Sequence, residues 1–184
     1  MQIDLIKAYK RWRHSRGYGV HSPFAYSFVC ETLKEDWPYY AYDRLDAVTR
    51  DMRPEVSLSP RRVRLLFRIF ARFNPKRVMI AGATANAAIE AECLSMACPS
   101  AKITDNMAEA DIIVVNSDFP IQSMQKDKNR NFAAVFMGKQ AYRSPAHRIL
   151  REGVEHGISF DNGRDMSVIV ADRKLSRQTV DVNF

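Results

Sequence analysis

Residues 77–97 read RVMIAGATANAAIEAECLSMA: a short apolar run, a single glycine, then an alanine-rich tract. The run Arg77 to Ala81 is a buried strand, Gly82 turns the chain, and a helix follows from about Asn86 to Ala97. The same alternation continues downstream. Ala101 to Thr104 (AKIT) is a second strand, and Asp111 to Val115 (DIIVV) and Phe132 to Met137 (FAAVFM) are apolar runs bounded by polar residues. A short helix is expected around Ile121 to Lys126, and Pro145 opens another to about Glu155. Strands at Ile158 to Phe160, Met166 to Ala171 and Thr179 to Val182 close the chain, with a turn near Leu175. Uninterrupted apolar strands separated by helices describe an α/β protein with a mostly parallel, Rossmann-like sheet and helices on both faces.

Upstream of Arg77 the pattern is helical. Leu5, Ala8, Tyr9 and Trp12 form an i, i+3, i+4, i+7 stripe that Gly17 and Gly19 end. Ser22-Pro23 reads as N-cap and first residue of a helix running through Phe24, Phe28 and Leu33. Beyond Trp37-Pro38 a third helix spans about Tyr40 to Asp51, and Met52 to Pro60 is a linker. Ser59-Pro60 repeats the cap signal ahead of the stripe Val63, Leu66, Phe67, Phe70 and Phe73. The expected division is a basic helical region, 1–58, packed on a Rossmann-like domain, 59–184.

The chain of 184 residues carries 28 Lys and Arg against 21 Asp and Glu, a net charge of +7. Hydrophobic residues at 46% and charged residues at 27% exclude wholesale disorder. No apolar run approaches the roughly 18 residues that span a bilayer, and no apolar leader opens the chain, so a cytoplasmic protein without a membrane partner is expected. Three cysteines without a CxxC pair argue against a disulfide framework or zinc ribbon, and Cys30, Cys93 and Cys98 read as packing residues. Residues 1–77 hold 16 of the cations and 8 of the acids, so the whole excess lies there. Its two basic clusters, first Lys7, Lys10, Arg11, Arg13 and Arg16, then Arg61, Arg62, Arg64, Arg68, Arg72, Lys76 and Arg77, could attract an anionic partner. The aromatics fall on the opposite, apolar faces instead of interleaving with the arginines, which disfavours nucleic acid.

Ligands of open α/β sheets bind beyond the carboxyl ends of the strands. The loop Gly82 to Asn86 (GATAN) makes Gly82, Ala83, Thr84 and Asn86 the cofactor-binding candidates, although one glycine falls short of a dinucleotide fingerprint. Asp105 is the carboxylate placed to accept from ribose hydroxyls, and Asn116 lines the next strand end. An amide at 116 cannot ionise and is a poor general base, which leaves Asp118 and Tyr142 as catalytic candidates. His14, His21, His147 and His156 are scattered without ligand spacing, so no metal is expected.

The segment YGVHSPF (18–24) resembles the HGVHSPF region of a group of bacterial class I S-adenosylmethionine-dependent methyltransferases. WPYYAYDRLDAV (37–48), RRVRLLFRIFARFNPKRVMIAG (61–82) and LSRQ (175–178) agree with that group in order. The resemblance implies a class I methyltransferase-type fold with S-adenosylmethionine as cofactor. The departures bear on activity. Ile80 replaces the glutamate of the family's E-x-G-x-x-x-G, Asn86 its second glycine, Val115-Asn116 an Ile-Asp, and Gly138-Lys139 an Asp-Asp. A longer loop between Ala47 and Pro60 is missing, and so are a helix and strand between Thr104 and Asp111. The six residues Asp105 to Ala110 are too short for a parallel crossover, so a reduced strand number is expected. These departures lead to the expectation of a pseudoenzyme with a degenerate cofactor site, or none bound, and no methyl transfer. The alternatives are an active small-molecule or O-methyltransferase using S-adenosylmethionine, with a small-molecule ligand in the cleft above Gly82, and a nucleic-acid or anionic-partner module using the basic helices.

Overall fold

The computed structural model describes residues 5–52, 57–82, 85–117 and 130–184. Seven strands form one sheet: β1 (Arg77–Ala81), β2 (Lys102–Ile103), β3 (Ile112–Val115), β4 (Phe132–Met137), β5 (Gly157–Asp161), β6 (Met166–Ala171) and β7 (Gln178–Asp181). Their order is β2-β1-β3-β4-β6-β5-β7. All neighbours pair in parallel except β6, which runs antiparallel to both β4 and β5. Strands β3 and β4 are central and covered on both sides, which is why DIIVV and FAAVFM are apolar without alternation.

On one face, Val78, Ile112, Val114, Val135 and Val168 pack against α4 (Pro60–Phe73) and α5 (Asn86–Ala97), together with α2 (Pro23–Phe28) and α3 (Ala41–Asp51). The other face, with Ile113, Val115, Ala134, Phe136 and Ile169, is covered by α6 (Lys139–Arg143) and α7 (Pro145–Gly153). This is the α/β, Rossmann-like arrangement expected. Helix α4 follows its sequence pattern closely. Pro60 occupies its first turn, Val63, Leu66, Phe67 and Phe70 are buried, and Asn74 ends it in the left-handed conformation at φ 43°.

Local details refine these expectations. The helix opened by Ser22-Pro23 does not continue as α-helix to Leu33: after Phe28 it widens into a π-helical turn, Val29–Leu33, where Lys34 N donates to Val29 O at 2.9 Å. The sheet has the seven strands read from the sequence, and none lies between Thr104 and Asp111, where the reduction was expected. The thinning is confined to one edge, where β2 is two residues long and the way to β3 is a single 3-10 turn, Met107–Glu109. Helix α1 (Leu5–His14) forms as read, yet none of its residues is buried. Arginines do stack on its aromatics, with Arg16 lying 4.4 Å from the Trp12 ring and Arg13 6.0 Å from Tyr9. The helix expected near residues 121–126 lies outside the described residues.

Candidate functional site

The carboxyl ends of β1 and β3 lie side by side, with Ala81 paired to Val115. Gly82 follows β1 at φ +106°, a conformation that L side chains rarely adopt. A Cβ on Gly82 would sit 2.5 Å from the Ser117 hydroxyl and 3.3 Å from the Ser117 backbone nitrogen. The glycine therefore serves a close approach, but the partner is the chain's own Ser117.

Asn86, the first residue of α5, turns its side chain back on the 52–60 linker. Its Oδ1 accepts from Ser57 N at 3.0 Å, and its Nδ2 donates to Ser57 Oγ at 3.0 Å. One turn further along α5, Glu90 is 0% exposed. Asn116 Nδ2 donates to Glu90 Oε2 at 2.6 Å. Among the described residues, Glu90 Oε1 and Asn116 Oδ1 have no hydrogen-bond partner. Burial raises the Glu90 pKa to about 7 against the opposing pull of the Asn116 hydrogen bond. Such a carboxyl is near half protonation at neutral pH, but with no exposed surface it cannot reach a substrate.

The structure thus gathers Gly82, Asn86 and Asn116 of the sequence candidates, and adds Glu90 and Ser117, which sequence reasoning missed. One signal was available for Glu90. It stands between Ile89 and Cys93 on the buried face of α5, four residues after Asn86. Ala83, Thr84 and Asp118 lie outside the described residues. Asp105 is exposed at the bend after β2 and shares none of the hydrogen bonds described for the cluster.

Tyr142 belongs to a second polar group, beyond β4. Its hydroxyl donates to Asp161 Oδ1 at 2.7 Å, Gly163 N donates to the same oxygen at 2.6 Å, and Arg151 Nη1 donates to Oδ2 at 3.2 Å. Burial, then the Asp161 carboxylate, pushes the Tyr142 hydroxyl well above its ordinary pKa, so it is a poor proton acceptor near neutrality. His147 packs between Phe136 and Tyr142, both rings 4.9 Å away, and burial lowers its pKa and keeps it neutral. Tyr142 is held in this packed group on the same carboxyl rim as Gly82, but on the β5 side of β4.

Among the described residues no group of three His, Cys, Asp or Glu is placed to hold a metal ion. Two clefts lie elsewhere. One of about 270 Å³ sits at the carboxyl rim between α4 and the β5–β6 turn, lined by Arg61, Arg62, Arg164 and Asp165 among others. The other, about 410 Å³, is at the amino ends of β3 and β4 beside Phe24, Phe73, Lys76 and Asp111. Neither is lined by Gly82.

No model of a known protein family matches the chain. No curated protein matches it either.

Proposed function

We propose that the chain is a methyltransferase-fold protein whose cofactor site has closed on itself, and that it acts by binding and not by methyl transfer. The observation that carries this reading is the packing of Ser117 against Gly82. A glycine at a strand end lets a nucleoside cofactor approach the backbone, and here a serine hydroxyl fills that side. Two further features support it. Asn86 spends its amide on Ser57 instead of leaving the helix start open. The carboxyl of the cluster, Glu90, is sealed beneath it, while Asp105 stands apart in solvent. With Ser117 against Gly82 and Asn86 bonded to Ser57, the described residues at this strand end offer S-adenosylmethionine a poor fit.

Titration calorimetry with S-adenosylmethionine and with S-adenosylhomocysteine tests the reading. Absence of binding at millimolar ligand is expected. Micromolar binding of either compound would overturn it and restore an active methyltransferase as the better reading.

A further inference from the structure

An amphipathic helix on a globular domain normally turns its apolar stripe inward. Helix α1 does the reverse. Its body-facing side is polar: His14 Nδ1 lies 3.0 Å from Asp181 O, Asn183 N donates to Ser15 Oγ just past the helix at 2.8 Å, and the Arg11 guanidinium lies against Gly163. The residues left outward are Leu5 (74% exposed), Ile6 (71%), Tyr9 (58%) and Trp12 (45%). Tyr9 and Trp12 stack on each other at 5.9 Å, making one continuous apolar and aromatic strip.

Within α1 the charged side chains are of one sign. Helix α1 has no acid in its sequence LIKAYKRWRH, and Lys10, Arg13 and Arg16 are all exposed. Several arginines of the second basic cluster are engaged within the fold, although Arg61 and Lys76 stay exposed. Arg64 pairs with Asp46, Arg68 donates to Thr32 O and the Tyr42 hydroxyl, and Arg72 lies beside Glu31. What sets α1 apart is that its exposed cations stand beside exposed aliphatic and aromatic side chains.

We propose that α1 is an interfacial helix that seats the protein on an anionic lipid bilayer. Leu5, Ile6 and the rings of Tyr9 and Trp12 enter the boundary between headgroups and acyl chains, and Lys10, Arg13 and Arg16 meet lipid phosphates. Trp and Tyr suit that depth because each has an apolar ring and a polar edge. A nucleic acid would satisfy the cations but would gain nothing from Leu5 and Ile6. The expectation of no membrane partner is revised accordingly. It rested on the lack of a spanning segment, and no helix among the described residues is long and apolar enough to cross a membrane. A surface helix needs no span. The inference does not depend on the state of the cofactor site.

The test is co-sedimentation of the full chain with phosphatidylcholine–phosphatidylglycerol vesicles and with pure phosphatidylcholine vesicles. Binding to the anionic vesicles that weakens with salt is expected, with little binding to the neutral ones. In a Trp37→Phe background Trp12 is the remaining indole, and its emission should shift to the blue on binding. Leu5→Ser with Ile6→Ser should reduce partitioning roughly tenfold or more, and Lys10→Glu with Arg13→Glu should do the same. Both variants should keep the parent melting temperature, since α1 buries no side chain. Failure to bind anionic vesicles at low salt overturns the proposal, as does unchanged binding by the serine variant. Dimerisation lost in the serine variant without any vesicle binding would assign the strip to a second copy. RNA binding without vesicle binding would also overturn it.

Discussion

The Asn116 side-chain amide donates to the buried Glu90 carboxyl at 2.6 Å, tying the end of β3 to the first turns of α5. The pair is half satisfied, because Glu90 Oε1 and Asn116 Oδ1 are both buried without partners among the described residues. Since burial raises the folded-state pKa of Glu90 from 4.5 to about 7, the favourable contribution is complete below the unfolded value and is lost as pH rises through 7. The shift corresponds to roughly 3 kcal/mol at pH 8. Glu90→Gln removes the titration and offers a donor to Asn116 Oδ1. Its melting temperature should exceed the parent's by roughly 6–12 °C at pH 8 and converge with it near pH 4.5. Thermal melts across that range check this, and an equal gain at both pH values would show that ionisation of Glu90 is not the cause.

Gly82 and Ser117 are 35 residues apart in sequence and in contact in the fold. Gly82→Ala imposes both a positive φ on an L residue and a collision with the Ser117 hydroxyl. We expect a loss of about 1–3 kcal/mol from the backbone conformation, with the collision adding to it. Ser117→Ala removes the hydroxyl and not the strain, so the double variant should recover part of the loss. Urea unfolding of the four proteins in the cycle measures the coupling. Strict additivity would show that the two side chains do not meet.

Why these contacts were not legible in the sequence follows from what periodicity reports. FAAVFM and DIIVV announce themselves because strands covered on both faces lack polar alternation, and α4 because its stripe repeats every three to four residues. Those signals are local. The stripe Leu5, Tyr9, Trp12 identifies a face of α1 but says nothing about what covers it, and the fold leaves it open. The π-helical turn at Val29–Leu33 keeps its apolar residues inward, so one shifted hydrogen bond leaves no mark on the pattern. Glu90 becomes meaningful only when β3 carries Asn116 to it, and Ser117 only when β3 lies against β1. Residues chosen by position at strand ends, such as Asp105 and Tyr142, were placed on the right rim but in different surroundings.

Tyr142 separates a packing role from a catalytic one. Its hydroxyl is one of three donors to Asp161, which is 2% exposed. Tyr142→Phe leaves Gly163 N and Arg151 in place, so Asp161 keeps two of these three donors. A loss of about 1–2 kcal/mol is expected, read by chemical denaturation. A variant of unchanged stability would mean that the hydroxyl does not serve the Asp161 network.

The three thiols divide by environment. Cys93 Sγ donates to Val63 O at 3.5 Å and Cys98 Sγ to Phe70 O at 3.3 Å, both reaching backbone carbonyls of α4 from a buried position. Burial raises the pKa of each, Cys93 well above its ordinary value, so neither provides thiolate at neutral pH. Cys30, in the π-helical turn, is partly exposed. Reaction of the native protein with a disulfide reagent at pH 8 should therefore consume one thiol promptly and two more only as the protein unfolds. Adding urea below the transition should leave the slow pair unreactive, since their exposure requires α4 to separate from α5. Cys93→Ala should cost about 1–2 kcal/mol through the cavity it leaves, whereas Cys30→Ser, at a half-open position, should fall within about 0.5 kcal/mol of the parent. Rapid modification of all three thiols in the folded protein would show that the α4–α5 contact opens far more readily than its packing implies.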